Sequence, residues 1–298
     1  MKQLISIVGP TAIGKTSFSI SLAKQYNCEI VSADSRQFFK EMAIGTAKPD
    51  VTEMDGIPHH FVDFLSVNDP YTAGQFEKEA IAKIEEIHQK TEVAIMVGGS
   101  GLYVNAVHDG MDDIPSDSEL RDLLNNELKD RGIEPLQIEL KKLDPEHYEF
   151  MDIHNPQRLI RAIEVCRLSG KTYTSFRNKI NKTRPFNIIK IGLIADREII
   201  YDRINQRVDL MIEAGLVEEV KSLHKLKSLN ALQTVGYREL FEHFEGNVTL
   251  DEAIENIKMN TRRFAKRQMT WFKKDKDTKW FDYKDQQQIK DYVASQLK

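Results

Sequence analysis

Gly9-Pro10-Thr11-Ala12-Ile13-Gly14-Lys15-Thr16 places two glycines, a lysine and a hydroxyl at the spacing G-x-x-x-x-G-K-[ST]. That combination suits a polyphosphate. Glycines let the backbone wrap an anion, so its N–H groups can point inward at phosphate oxygens. Lys15 adds a full positive charge, and the Thr16 hydroxyl can hold Mg²⁺. A short apolar run, Gln3 to Val8, precedes the loop, and an amphipathic stretch, Ser17 to Lys24, follows it. The loop therefore sits between a strand and a helix, and a molecule carrying a diphosphate or triphosphate is expected to bind there.

Other residues could act beside that anion. Asp34 follows the apolar segment 29–33, where a carboxylate can serve as general base or Mg²⁺ partner. A helix-capping aspartate is the alternative. Gly98-Gly99-Ser100-Gly101-Leu102-Tyr103 offers close backbone approach and a hydroxyl, although tight turns use glycine too. Arg203 and Arg207 share a helix face and suit fork-like phosphate contact, or a solvated surface. His59-His60 lacks a further ligand at metal spacing and reads as a structural loop pair. Near the C-terminus Lys258, Arg262, Arg263, Lys266, Arg267, Lys273 and Lys274 make a basic helix side among apolar Ile254, Ile257, Phe264, Met269, Trp271 and Phe272. A phosphodiester backbone would suit it.

These groups need a scaffold. Strands are expected at 3–8, 29–33, 93–97 and 187–195, as short apolar runs buried on both sheet faces. Helices are expected at 15–26, 73–90, from about 101, and at 197–214, 216–225, 236–244 and 251–274. Between 112 and 184 only helical patterns appear, at 118–131, 134–142 and 155–169. The expected fold is an α/β, phosphate-loop NTPase-like parallel sheet flanked by helices. Its core would be 1–111 with 185–298, interrupted by a small all-helical insertion at 112–184. In such sheets ligands bind beyond the carboxyl ends of the strands. The loops 9–16, 34–37 and 98–103 are therefore expected to converge.

Composition narrows the class. With 298 residues, 41% apolar and 30% charged, the chain can bury a sizeable core. Cys28 and Cys166 are too few for a disulfide framework or a zinc site. No long apolar run or leader segment is expected, which points to a cytoplasmic protein without a membrane partner. A net charge of −4 argues against indiscriminate nucleic-acid binding but allows a local basic face.

Taken together, the chain resembles the tRNA dimethylallyltransferase (isopentenyl-tRNA transferase) family over nearly its whole length. The resemblance rests on Gly9 to Thr16, Asp34-Ser35-Arg36-Gln37, Ile44-Gly45-Thr46-Ala47-Lys48-Pro49, Pro58-His59-His60 and Gly98 to Tyr103. It continues through Asn155-Pro156-Gln157-Arg158-Leu159-Ile160-Arg161-Ala162, Val235-Gly236-Tyr237-Arg238 and Thr261 to Trp271. It implies transfer of a dimethylallyl group from its diphosphate to N6 of adenosine 37 in tRNA, with Mg²⁺ and no nucleotide hydrolysis.

The resemblance also implies roles. Asp34 would be the general base, and Lys15, Thr16 with Mg²⁺, and Arg207 would stabilise the leaving diphosphate. Gly9, Pro10, Thr11, Ala12, Ile13, Gly14, Lys15 and Thr16 would hold it. The tRNA would touch Asp34, Ser35, Arg36, Gln37, Ser100, Arg121, Gln157, Arg158, Leu159, Ile160, Arg161, Gln233, Thr234, Val235, Gly236, Tyr237 and Arg238, with the helical insertion gripping the anticodon stem-loop. No obligate protein partner is implied, and a monomer is expected. Ser100 stands where threonine is common in the family, and Arg36 is larger than usual there. No zinc-finger extension is expected, in keeping with a resemblance to bacterial-type members. A small-molecule or nucleoside kinase would share the first loop but gain nothing from the basic helix. A non-catalytic RNA-binding protein would not need Asp34.

Overall fold

A computed structural model describes residues 2–177 and 182–297. The chain opens with β1 (Gln3–Val8), α1 (Lys15–Tyr26), β2 (Ile30–Ser32), the single-turn α2 (Val51–Met54), β3 (His59–His60), α3 (Ala73–Lys90), β4 (Val93–Gly98) and α4 (Gly101–His108). Next come α5 (Ser118–Arg131), α6 (Glu134–Leu143), α7 (Pro145–Phe150) and α8 (Pro156–Ser169). The last stretch holds β5 (Asn187–Ile194), α9 (Arg197–Glu213), α10 (Leu216–Ser222), α11 (Tyr237–Phe244), α12 (Leu250–Phe272), β6 (Lys279–Asp282) and α13 (Gln286–Gln296). Contacts divide the chain into two compact units, residues 1–108 with 183–298, and residues 109–182.

The larger unit is built on one parallel sheet in the order β3-β2-β4-β1-β5-β6. Central β1 aligns Leu4 with Ala94 of β4 on one side and Ile188 of β5 on the other. Every residue of β1 and β4 is buried, because helices cover both faces. The alternation of side chains divides the interior. Leu4, Val8, Val31 and Met96 join one core, and Ile5, Ile7, Ile30, Ile95 and Ile191 join the other. Capping boxes at Thr72 with Gln75 and at Thr249 with Glu252 fix where α3 and α12 begin.

Two strands were not apparent from sequence. His59-His60 is a two-residue parallel strand on β2, where sequence reading expects a loop. His60 Nε2 lies 2.6 Å from the Glu29 carboxylate. Strand β6 pairs with β5, and its Trp280 ring takes the space beside Gly192, where a Cβ would lie 2.4 Å from the indole. Both are edge strands with too few apolar residues for a period-two signal. Helices α2, α7 and α13 were likewise not apparent. Polar α13 buries only Ile289 and Val293.

The smaller unit is helical among its described residues. Helices α5, α6 and α8 pack Leu124, Leu136, Leu140, Leu159, Ile160 and Ile163 into its own core. Buried Asp144 ties its turns by accepting from the backbone N–H groups of His147 and Thr174 at 3.0 and 2.7 Å.

Candidate active site

The phosphate loop follows β1 because the chain must reverse there with little room. A Cβ on Gly9, at φ 152°, would lie 2.7 Å from the Leu193 carbonyl oxygen. Gly14 then enters α1 in the left-handed region, and no side chain caps that helix. The first-turn amides therefore remain available to an anion. Lys15 Nζ donates to the carbonyls of Gly9 and Pro10 at 3.0 and 2.8 Å, which folds the lysine back over the loop. From α9, Arg203 Nε donates to the Ala12 carbonyl at 2.7 Å and braces the loop from outside.

A cavity of about 480 Å³ opens at the carboxyl ends of the strands, entirely within the larger unit. Thr11, Lys15, Asp34, Ser35, Arg36, Gly99, Ser100 and Arg207 line one part of it. The three loops expected to converge therefore do so. Burial lowers the Lys15 pKa to about 8, with the Asp34 carboxylate opposing the shift and Arg207 adding to it. Burial also raises the Asp34 pKa. The 3.3 Å hydrogen bond from the Arg36 backbone and the charges of Lys15 and Arg36 pull it the other way. Arg36 and Arg207 are both held below the usual guanidinium value, mainly by burial. Four mutually influencing charges thus face one cavity, short of water.

Gln268 of α12 joins the loops. It accepts from the Thr11 N–H at 2.8 Å and donates to the Gly99 carbonyl at 2.9 Å. A Cβ on Gly99 would meet Gln268 Nε2 at 2.3 Å, so a larger residue there would displace the amide from this bridge. Ser100 Oγ accepts from the Ser35 N–H at 3.0 Å, joining the turns after β2 and β4. Across the cavity, Glu219 of α10 accepts from the N–H groups of Ala43, Ile44 and Gly45 at 3.0, 2.8 and 3.0 Å. The Tyr237 hydroxyl donates to the same carboxylate at 2.6 Å. Sequence reasoning placed Gln268 in the Thr261 to Trp271 motif without giving it a role, and missed Glu219. Each acts through residues far away in the chain.

The expected site residues do not all play the same part. Gln233, Thr234, Val235, Gly236 and Arg238 line the cavity beside Asp34, Ser35, Arg36 and Ser100. Gly9, Pro10, Ala12, Ile13 and Gly14 form the loop, but Ala12 and Ile13 are buried, so only their backbone can serve a ligand. Thr16 is exposed in the first turn of α1. Tyr237 is fully buried, and its ring packs against Gly45. The Gln37 amide is committed to the Thr46 and Ala47 carbonyls at 3.2 and 3.1 Å. In the smaller unit Gln157 and Arg158 are exposed, whereas Leu159 and Ile160 face its core. Apolar side chains at these turns of α8 cover the unit's interior. Arg121 and Arg161 both reach Glu164, at 2.9 and 3.0 Å.

The basic helix is less free than its sequence suggests. Lys258 pairs with Asp209 and Glu255, and Arg262 donates to Asn205 at 2.6 Å. Lys266, Arg267, Lys273 and Lys274 stay exposed. Both cysteines are free and buried, and no group of three His, Cys, Asp or Glu residues suited to a metal occurs among the described residues.

A parallel sheet ending in a glycine-rich loop, with a carboxylate enclosed beside it, defines the phosphate-loop class of α/β fold. Comparison with known proteins narrows the class. The family model described as IPP transferase matches residues 37–275. A tRNA dimethylallyltransferase of Christiangramia forsetii is 55% identical over 99% of this chain and 98% of its own length. One from Flavobacterium johnsoniae is 54% identical over 100% and 99%. The solved tRNA isopentenylpyrophosphate transferase of Bacillus halodurans superposes with a TM-score of 0.74 at 39% identity, covering 100% of this chain and 97% of that one. A eukaryotic dimethylallyltransferase solved acting on tRNA gives 0.79 at 29% identity, over 95% and 74%. The chain belongs to the IPP transferase family and is an enzyme of the prenyltransferase class.

Proposed function

We propose that the chain transfers a dimethylallyl group from dimethylallyl diphosphate to N6 of adenosine 37 in tRNA. The observation that carries this reading is the enclosure of Asp34, Lys15 and Arg207 in one cavity beside the phosphate loop. The naming of its relatives as tRNA dimethylallyltransferases supports the substrate pair.

The chemistry follows from what each substrate lacks. An exocyclic adenine amine is a weak nucleophile, because its lone pair is delocalised into the ring. As N6 bonds to the allylic carbon, the carbon–oxygen bond to diphosphate breaks and Asp34 accepts the departing N6 proton. A carboxylate whose pKa is raised by burial is a better base than one in water. The leaving diphosphate gathers charge, which the loop amides, Lys15 and Arg207 neutralise in a site of low dielectric. Mg²⁺ fits the donor set. The exposed Thr16 hydroxyl offers one oxygen, and diphosphate oxygens and water would supply the rest, as this ion prefers. When bound, it would add charge neutralisation on the leaving group.

Adenine must leave the anticodon-loop stack to reach Asp34. Ser35, Arg36, Ser100, Gln233, Thr234, Val235, Gly236 and Arg238 line the cavity it would enter. Exposed Gln157 and Arg158, with Arg121 and Arg161, give the helical unit polar groups for gripping the stem-loop. The reaction belongs in the cytoplasm, where tRNA is modified. No helix among the described residues is long and apolar enough to cross a membrane.

Radiolabel from dimethylallyl diphosphate should enter tRNA whose anticodon loop reads A36-A37-A38. Phosphate transfer from ATP to a small acceptor, without prenylation, would establish a kinase instead.

A further inference from the structure

The polar part of the cavity accounts for the diphosphate and the base-catalysed step, but its apolar rim is left without a role. Three large apolar residues on that rim face solvent: Leu102 is 50% exposed, Phe264 37% and Trp271 40%. Phe264, Gln268 and Trp271 lie four and three residues apart on α12, which puts them on one helix face. Arg267 lines the same cavity and sets its guanidinium 5.9 Å from the Phe264 ring centre. Lys274 Nζ lies 5.7 Å from the centre of the Trp271 ring.

This face is held rigidly. Gln268, between the two aromatics, is tied to both Thr11 and Gly99. The Trp271 pyrrole edge packs on Gly101, where a Cβ would lie 2.3 Å from the ring, and its Nε1 donates to Asn105 at 3.3 Å. The Trp271 ring is therefore fixed relative to the phosphate loop, and Phe264 is carried on the same anchored helix. A soluble protein does not leave a fixed aromatic–arginine–aromatic row open at a cavity mouth without an occupant to cover it. The aliphatic lining of the cavity, Ile204, Val208, Met211, Leu216 and Ile257, is enough to cover a five-carbon donor, which leaves the two aromatic rings of the rim over. The cationic surroundings select an anionic, flat partner. Unstacked nucleobases meet that description, since every base has a π-face and carries its phosphate alongside.

We propose that Phe264 and Trp271, with Arg267 between them, form a stacking subsite for a nucleobase flanking the adenosine that reacts. This rests on the tRNA-prenylation reading. Extruding one base from the loop exposes the faces of its neighbours, and the aromatic row replaces the stacking they lose.

The test uses an anticodon stem-loop RNA carrying 2-aminopurine on either side of the reacting adenosine. Binding to the full chain should quench one of the two fluorophores. Trp271→Ala and Phe264→Ala should each remove that quenching and raise the RNA KM by roughly tenfold or more. The KM for dimethylallyl diphosphate should hold, and Trp271→Phe should restore most of the RNA affinity. Far-UV circular dichroism checks that each variant is folded. A rise in donor KM with RNA KM unchanged would overturn the subsite and make the rings a cover for the prenyl group. An equal loss of affinity for RNA that is abasic at the flanking position would also overturn it, since stacking would then have contributed nothing. Failure of the unmodified chain to prenylate the RNA would instead sink the parent reading, which the fluorescence arm does not depend on.

Discussion

In the helical unit, Glu164 has no solvent exposure and accepts from the Asp117 N–H at 2.9 Å while Arg121 and Arg161 close on its oxygens. Nearby Arg167 pairs with both Glu127 and Glu139, which raise its pKa. In the cavity of the larger unit the arrangement is reversed. Lys15 spends its hydrogen bonds on two carbonyls, Asp34 accepts from a backbone N–H, and burial drives both toward their neutral forms. Paired charges add little free energy overall but are costly to break, which suits a scaffold. Charges held out of water without a full partner are unfavourable until a substrate completes them, which suits chemistry.

Substitutions should separate the two arrangements. The largest expected effect is on Asp34→Asn, which should lower kcat by roughly 10² to 10⁴-fold while tRNA binding is kept. Unchanged turnover would break the comparison at its active end. Next is Glu164→Ala, which leaves two arginines facing an empty site. Urea denaturation should show about 3 kcal/mol of lost stability, with kcat at saturating tRNA preserved. A stable variant with impaired chemistry would place the helical unit in catalysis rather than support.

Gln268→Leu should leave the Thr11 N–H and the Gly99 carbonyl unpaired. The expected cost is about 1–3 kcal/mol of stability, read by urea denaturation, with a lower kcat/KM from the loosened loops. Smaller still is the response to pH. Donor capture by the free enzyme needs protonated Lys15, so kcat/KM for the diphosphate should decline as pH rises through about 8. Stability runs the other way. The folded-state pKa of Lys15 lies below the ordinary lysine value of 10.5, so protonated Lys15 opposes folding below pH 8, and that penalty is relieved between about 8 and 10.5. Lys15→Met should therefore melt higher than the unmodified chain at pH 7, and the gap should close above pH 10. An acid limb of kcat/KM above the ordinary carboxylate range would report Asp34.

How much of this was legible in the sequence depends on the range of the interactions involved. Strands β1, β4 and β5 are continuous apolar runs, and α3 and α5 carry side-chain caps, so local chemistry suffices to find them. The phosphate loop is likewise local. Strand β6 is visible only once Gly192 offers room for Trp280, a condition set 88 residues earlier in the chain. Gln268 is an ordinary helix residue until its amide meets loops 257 and 169 positions away. The motif residue Tyr237 reads as a ligand contact, yet its ring lies buried under Gly45 and its hydroxyl meets Glu219. Spacing can name a motif, but whether a member of it faces substrate or core is settled by the tertiary partners.

The central claim is a bond formed between a nucleobase nitrogen and an allylic carbon in this cavity. Mass spectrometry of nucleosides from tRNA incubated with the protein, Mg²⁺ and dimethylallyl diphosphate reads that bond directly. The account predicts one modified adenosine, heavier by a dimethylallyl group in place of a hydrogen, appearing with the unmodified chain and nearly absent with Asp34→Asn. Unaltered adenosine after complete incubation, or equal yield from the variant, would contradict it.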